Sequence, residues 1–252
     1  NLERSMKLAV ISTPIFALHK SGGLRGYGGL EQLAWLRAKG LAEKGHEVTL
    51  FAPDGSECPG VKVVGIGPER GVDEKGVHSQ IWQQLLEFDC ILDETWAKWS
   101  LCLKEEGRIK APILCWTHAP LATMYGSLPP VEKPCFVCIS QDQANNFEAL
   151  YGREARVCYN GIDLDHYKSL GIPRTNRFLF LARFSSIKGP DIALSACKEV
   201  GASLDLIGDT SITQEPEYFK QCGALCDGTQ LKMIGPASRG ETVWWYSQAH
   251  VM

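Results

Sequence analysis

The first stretch of the chain restricts the fold to few choices. Lys7–Ser12 is a short, continuous apolar run, the pattern of a strand buried on both faces. A long connection follows from Thr13 to Gly29, carrying Gly22, Gly23, Gly26, Gly28 and Gly29. Leu30, Leu33, Ala34, Ala38, Leu41 and Ala42 then recur at helical spacing and predict a helix over Leu30–Lys44, ended by Gly45. Glu47–Ala52 reads as a second strand. Strand, loop, helix, strand is the unit of a doubly wound parallel sheet, because parallel neighbours need a long crossover between them.

The alternation continues through the chain. Strands are predicted at Val61–Ile66, Cys90–Leu92, Ile113–Thr117, Phe136–Ser140 and Ala155–Tyr159, with helices at Ser79–Glu87 and Gln141–Tyr151. Around Tyr167–Thr175 the texture turns to Gly171, Pro173 and polar residues, the composition of a linker. A second series follows: strands at Phe178–Ala182, Leu204–Ile207 and Leu231–Ile234, helices at Pro190–Val200, Glu217–Cys226 and Glu241–Ala249, and a further strand starting at His250–Met252. The expectation is α/β, two doubly wound Rossmann-like domains over 6–168 and 174–252 facing across a ligand-binding cleft. Met6 reads as the natural start, and Asn1–Ser5 are set aside as a leftover of expression.

Composition narrows the class. Of 252 residues, 44% are hydrophobic and 22% charged, ordinary globular usage, and the net charge of −3 argues against a broad nucleic-acid footprint. No apolar run is long enough to span a bilayer, so a cytoplasmic protein, soluble or peripheral to a membrane, is expected. The ten cysteines mostly sit inside apolar runs, as in Ile113-Leu114-Cys115-Trp116, where free cysteine packs as a small hydrophobe. Cys135 and Cys138 have metal-ligand spacing, but on a strand residues three apart point to opposite faces, and no second pair completes four zinc ligands.

Four segments at strand ends carry chemistry. Gly28 and Gly29 let backbone approach a ligand closely, and the helix behind them offers free N–H groups to a phosphate. A nicotinamide-dinucleotide site is the lesser alternative: Glu31 stands where the third glycine of that fingerprint belongs and the loop is longer than its tight turn, although Asp54 follows the second strand as a ribose-binding acid would; a plain surface loop is the other reading. After the first strand of the second series, Arg183 and Lys188 in Leu181-Ala182-Arg183-Phe184-Ser185-Ser186-Ile187-Lys188-Gly189 suit a diphosphate leaving group; a solvated basic turn is the plainer alternative. Tyr159-Asn160-Gly161-Ile162-Asp163 is a turn signal. His118, in Thr117-His118-Ala119-Pro120, either faces ligand or bonds backbone; His46 sits in the turn between helix and strand, and His78, His166 and His250 show no partner in the sequence. Trp96, Trp99 and Trp116 are stacking surfaces for an acceptor or, more often in such places, core residues.

In order and spacing these segments resemble the retaining glycosyltransferases of family four, which have the GT-B fold. The matching residues are Gly28-Gly29-Leu30-Glu31 with Leu41-Ala42-Glu43-Lys44-Gly45-His46-Glu47-Val48, Thr117-His118, Cys138-Ile139-Ser140, Tyr159-Asn160-Gly161-Ile162-Asp163, Arg183 with Lys188-Gly189, and Leu206-Ile207-Gly208-Asp209. The resemblance implies that Gly28 and Gly29 touch the donor diphosphate through their amides and that Arg183 and Lys188 bind it as catalytic cations. It places His118 near the transferred sugar or the acceptor, adds Gly208 to the donor site, and gives the turn Gly235-Pro236-Ala237 to the nucleotide base. Glu31 would support the glycine loop. The donor would be a nucleotide-diphosphate sugar, UDP- or GDP-linked, and the acceptor a sugar, lipid or small molecule, with neither cofactor nor metal. Family members also carry a pair of glutamates shortly after the strand that here begins at His250; Met252 precedes that segment. The second domain is therefore expected to be incomplete, through a shortened chain, a completing second polypeptide, or loss of catalysis in a form that still binds sugar nucleotide.

Overall fold

The computed structural model describes residues 4–19, 28–118, 135–210 and 215–250, and these form two compact units, one running to Ile162 and one from Asp163.

The first unit holds β1 (Lys7–Ile11), α1 (Gly29–Glu43), β2 (Glu47–Ala52), β3 (Lys62–Gly65), α2 (Glu74–Ile81), β4 (Cys90–Asp93), α3 (Trp99–Glu105), β5 (Ile113–Thr117), β6 (Cys135–Cys138), α4 (Gln141–Tyr151) and β7 (Arg156–Val157). Its sheet runs β3-β2-β1-β4-β5-β6-β7, with every neighbouring pair parallel. The order reverses at β1, which makes the sheet doubly wound. Apolar residues on both faces of β1 follow from layers on both sides. Ala9 and Ile11 join one core with Leu85, Ile91, Phe136 and Phe147, while Leu8 and Val10 join another with Ala34, Trp35 and Ala38 of α1. Each valine, leucine, isoleucine or phenylalanine among them contributes about 1.5–3 kcal/mol when fully buried.

Local chemistry corrects two element boundaries. The helix expected over Ser79–Glu87 starts earlier, as α2, because the Asp73 carboxylate accepts the Gly76 amide at 2.6 Å and caps it; a separate 3₁₀ turn covers Gln84–Glu87. The short helix α3 was not expected and follows Lys98, whose φ of 51° is left-handed.

The second unit holds β8 (Arg177–Leu181), α5 (Pro190–Glu199), β9 (Ser203–Ile207), α6 (Pro216–Ala224), β10 (Leu231–Gly235) and α7 (Arg239–Gln248), with a parallel sheet in the order β10-β9-β8. Leu194, Leu204, Leu206, Cys222 and Leu231 form its core around Phe184. Arg177 grips Asp205 bidentately at 2.8 and 2.6 Å and donates to the carbonyls of Leu204, Thr229 and Gln230, which ties the strands together at their amino ends. The His250 amide donates to the Arg177 carbonyl at 2.9 Å, so the chain returns beside β8; residues 251 and 252 of the expected last strand lie outside the described residues.

The segment predicted as a linker lies along α7. Asp163 pairs with Arg239 at 2.8 Å and His166 with the Arg239 carbonyl at 3.1 Å. The Leu170 amide donates to Ser247 Oγ, and the Thr175 amide to the Gln248 carbonyl. A capping box between Ser238 and Glu241 starts α7.

Gly208 shows how tightly the strand ends of this unit are joined. Its amide donates to the Gly235 carbonyl at 2.9 Å, and a Cβ at this position would strike the Ala182 carbonyl and lie 3.3 Å from the Phe184 ring. Gly208→Ala is expected to destabilise the second unit by about 2 kcal/mol or more. Urea denaturation measures this, and a midpoint equal to that of the parent would contradict the packing described.

Candidate functional site

Because β1, β4 and β5 are neighbours and parallel, the residues just past their carboxyl ends sit side by side: Thr13 after β1, Glu94 after β4, His118 after β5. Glu94 has no exposed side-chain surface, and its two oxygens have separate partners. His118 Nε2 lies 2.9 Å from Oε2, and the Arg37 guanidinium, reaching over from α1, pairs with Oε1. Arg37 also stacks on Trp116, with Cζ 3.7 Å from the ring centroid. Burial lowers the Arg37 pKa to about 10, which leaves it cationic at neutral pH. Burial, followed by the charges of Lys98 and Arg37, pushes His118 down to about 3, so its imidazole is neutral. Among the described residues, His118 Nδ1 is buried and has no hydrogen-bond partner.

A second buried network supports the turn that carries Glu94. Asp93 is fully buried; Oδ1 accepts from the Thr95 amide at 2.9 Å and from its hydroxyl, and Oδ2 from the Ser100 hydroxyl. His78 Nε2 is 3.5 Å from Oδ2, and His78 Nδ1 is 2.7 Å from the Glu74 carbonyl. Lys98 is buried with its ammonium on the carbonyls of Asp93 and Thr95. The Glu74 carboxylate accepts the amides of Trp96 and Ala97 at 2.7 and 2.6 Å. Burial alone would raise Asp93, but His78, Lys98 and Ser100 outweigh it and hold the carboxyl well below the usual range. Burial would likewise lower His78, and the Asp93 contact outweighs it and raises the imidazole.

The glycine loop lies mostly outside the described residues. Gly28 and Gly29 are inside them, at the start of α1, and among the described residues no side chain caps that end. Among the described residues, nothing lies within 4 Å of where a Cβ at Gly29 would sit. Glu31 is buried in the first turn, accepts the Thr13 hydroxyl after β1, and is pushed up by burial. Asp54 accepts the Gly67 amide at 3.2 Å and thereby serves a turn.

In the second unit, Arg183 and Lys188 both follow β8. Phe184 is fully buried, and its amide donates to the Asp209 carbonyl at 2.8 Å, which anchors the loop between them. Arg183 is half-buried and Lys188 exposed, at the end of a 3₁₀ turn over Ser186–Lys188. Gly189 then takes a φ of +66° and Pro190 opens α5. The Ser186 amide donates to Glu215 at 2.9 Å. Gly235 ends β10 with a φ of +100°, and Pro236 and Ala237 lead into α7. The structure thus places Gly28, Gly29 and His118 in the first unit, with His118 reaching α1 through Glu94 and Arg37, and Arg183, Lys188, Gly208 and Gly235–Ala237 at the strand ends of the second.

Rossmann-like parallel sheets in each unit, with chemistry at their carboxyl ends, match the GT-B class of glycosyltransferases in fold. Residues 27–166 match the sequence profile of Glycosyltransferase Family 4, and the chain belongs to that family. AviGT4, a glycosyltransferase involved in avilamycin A biosynthesis, is similar with 23% identity and a TM-score of 0.69 over 98% of this chain and 69% of that one. Anabaena Alr3699/HepE, solved in complex with UDP-glucose, shares 15% identity with a TM-score of 0.70 over 98% and 73% of the two chains. Sucrose-phosphate synthase from Thermosynechococcus elongatus shares 16% with a TM-score of 0.68 over 98% and 74%. No curated protein matches the sequence.

Sequence reasoning overlooked Glu94, Arg37 and the Asp93 network. The available signal was Asp93-Glu94-Thr95, three polar residues directly after an apolar strand. Two outcomes follow from the buried charges. Lys98→Met removes the buried cation that bridges the carbonyls of Asp93 and Thr95 and helps hold Asp93 ionised, and is expected to lower unfolding free energy by about 3 kcal/mol or more, read from urea melts; a loss below about 1 kcal/mol would sink that role. His118 has a folded value near 3 against an ordinary 6.5, so between those values the unfolded chain binds the proton more readily. Its contribution is fully present above 6.5 and is lost as pH falls toward 3, by up to ~1.4 kcal/mol per pH unit. His118→Gln is therefore expected to be less acid-sensitive than the parent between pH ~6 and ~4, and matching slopes would count against a neutral buried imidazole.

Proposed function

We propose that this chain transfers a sugar from a nucleotide-diphosphate sugar, UDP- or GDP-linked, to a sugar, lipid or small-molecule acceptor, with retention of anomeric configuration and without a metal. The observation that carries this reading is the turn after β8. It sets Arg183 and Lys188 at the carboxyl end of the first strand of a parallel sheet, the edge at which open α/β sheets bind ligands.

The chemistry suits those side chains. As the bond between sugar and phosphate weakens, positive charge grows on the sugar ring and negative charge on the departing diphosphate. Arg183 presents a planar fork to two phosphate oxygens and Lys188 a compact charge, and both interactions strengthen as the leaving group forms. One such fixed donor is typically worth ~3 kcal/mol in the transition state. The β-phosphate, so held, accepts the proton of the attacking hydroxyl on the face from which it leaves. Gly28 and Gly29 keep the role in diphosphate binding that the resemblance gives them, as do Gly208 and the turn Gly235-Pro236-Ala237 in binding the donor. His118, with a neutral ring, suits a hydroxyl of the sugar or the acceptor.

The test is nucleotide release. Incubation with a panel of UDP- and GDP-sugars and a mixed acceptor pool is expected to liberate one nucleotide diphosphate, and Arg183→Ala is expected to slow that release roughly 10²-fold. A near-normal rate in the variant would remove Arg183 from the machinery. Nucleotide binding by calorimetry without any release would favour a binding module over an enzyme.

A further inference from the structure

Glu94 has an arrangement that a merely structural carboxylate does not need. It is wholly buried, it sits between a guanidinium and an imidazole, and each oxygen is committed to one of them. Arg37 already matches the single negative charge. A second cation on the same carboxylate would have no charge left to neutralise it, and Lys98 lies close enough to disfavour one. The group on the other oxygen therefore serves as a neutral hydrogen-bond donor, and a neutral imidazole donates through only one nitrogen. That nitrogen is Nε2, at 2.9 Å. Nδ1 then keeps its lone pair, and it is the atom that has no partner among the described residues although the side chain is 5% exposed.

We propose that Glu94, held by Arg37, is a positioning residue that fixes His118 as the neutral Nε2–H tautomer, so that Nδ1 accepts a hydrogen bond from a hydroxyl of the sugar substrate. The hydroxyl rests on the glycosyltransferase reading above; the tautomer does not. The charged groups facing the imidazole come from three elements: Glu94 after β4, Arg37 on α1 and Lys98 ahead of α3. The Asp93 network fixes the turn that presents the carboxylate, with Lys98 on the carbonyls at either side of Glu94. An acceptor lone pair in this position takes a hydroxyl and rejects a carboxylate or phosphate oxygen, so His118 selects for the uncharged part of the donor or acceptor rather than for the diphosphate.

Nitrogen-15 NMR of the full chain labelled at histidine reads the tautomer directly, through two-bond correlations of the ring protons. The parent is expected to show a pyridine-type Nδ1 and a pyrrole-type Nε2 for His118, unchanged between pH ~7 and ~4.5 because the ring stays neutral there. Glu94→Gln keeps the shape. Arg37 claims the single amide oxygen, the amide NH2 turns to Nε2, and the tautomer switches to Nδ1–H. Glu94→Asp keeps the carboxylate and is expected to restore Nε2–H. A pyrrole-type Nδ1 in the parent, protonation of His118 near pH 6.5, or an unchanged spectrum in folded Glu94→Gln overturns the positioning role, whether or not the protein transfers sugar. UDP-glucose and GDP-mannose are then added as probes beside UDP and GDP. A shift of the pyridine-type Nδ1 resonance with a sugar-bearing nucleotide alone supports the hydroxyl contact, and no shift with any of the four overturns it.

Discussion

A carboxylate closed off from water has to be neutralised where it stands, and the way Glu94 is neutralised shapes the carboxyl edge of the first sheet. Removing an ion from water costs several kcal/mol, and the return depends on charge pairing and saturated hydrogen bonds. Glu94 obtains both only because α1 carries Arg37 across the ends of β1 and β4 while β5 delivers His118 from the other side. Each of the three elements must be in register for the pair to form. The Asp93 cluster repeats the principle one residue earlier, with Ser100, Thr95 and His78 gathered on one buried carboxylate and the Lys98 ammonium on the neighbouring carbonyls. Side-chain freedom at this edge is spent before any substrate arrives, which is what preorganisation of a polar site requires.

The second unit meets a different constraint. Its core, around Phe184, is small, and much of its cohesion comes from joining strand ends. Arg177 gathers carbonyls and Asp205 at the amino edge, while the Gly208 amide, the Gly235 carbonyl and the close approach of Ala182 draw the carboxyl edge together. The loop with Arg183 and Lys188 is anchored by the buried Phe184 between them, so the two cations extend from a fixed base.

Much of this was legible in the sequence. The apolar run of β1, the helical spacing of α1 and the alternation that follows specify a doubly wound parallel fold, because each pattern reports which faces of an element are covered. Residues at strand ends such as His118, Arg183 and Lys188 stand out for the same reason, since a polar group directly after an apolar strand lies at the edge of the sheet. Glu94 and Arg37 were not legible. Their meaning depends on a contact between residues far apart in the chain, and nothing in the sequence sets Arg37 apart from Lys39 and Glu43 of the same helix, which pair at its surface. The start of α2 was missed because one capping side chain, Asp73, decided it, and α3 because seven residues give too little periodicity to read.

The stretch from Asp163 to Thr175, polar and holding Gly171 and Pro173, has the composition of free chain, yet it is bonded along α7 through Arg239, Ser247 and Gln248. The last helix described in the second unit is thus braced by residues that come before its first strand. Opening either one exposes the unmet hydrogen bonds of the other, so strap and helix belong to one cooperative block whose local stability rises and falls together. The segment before β8 and the helix after β10 are thus coupled in energy although the three described strands of this sheet lie between them in sequence.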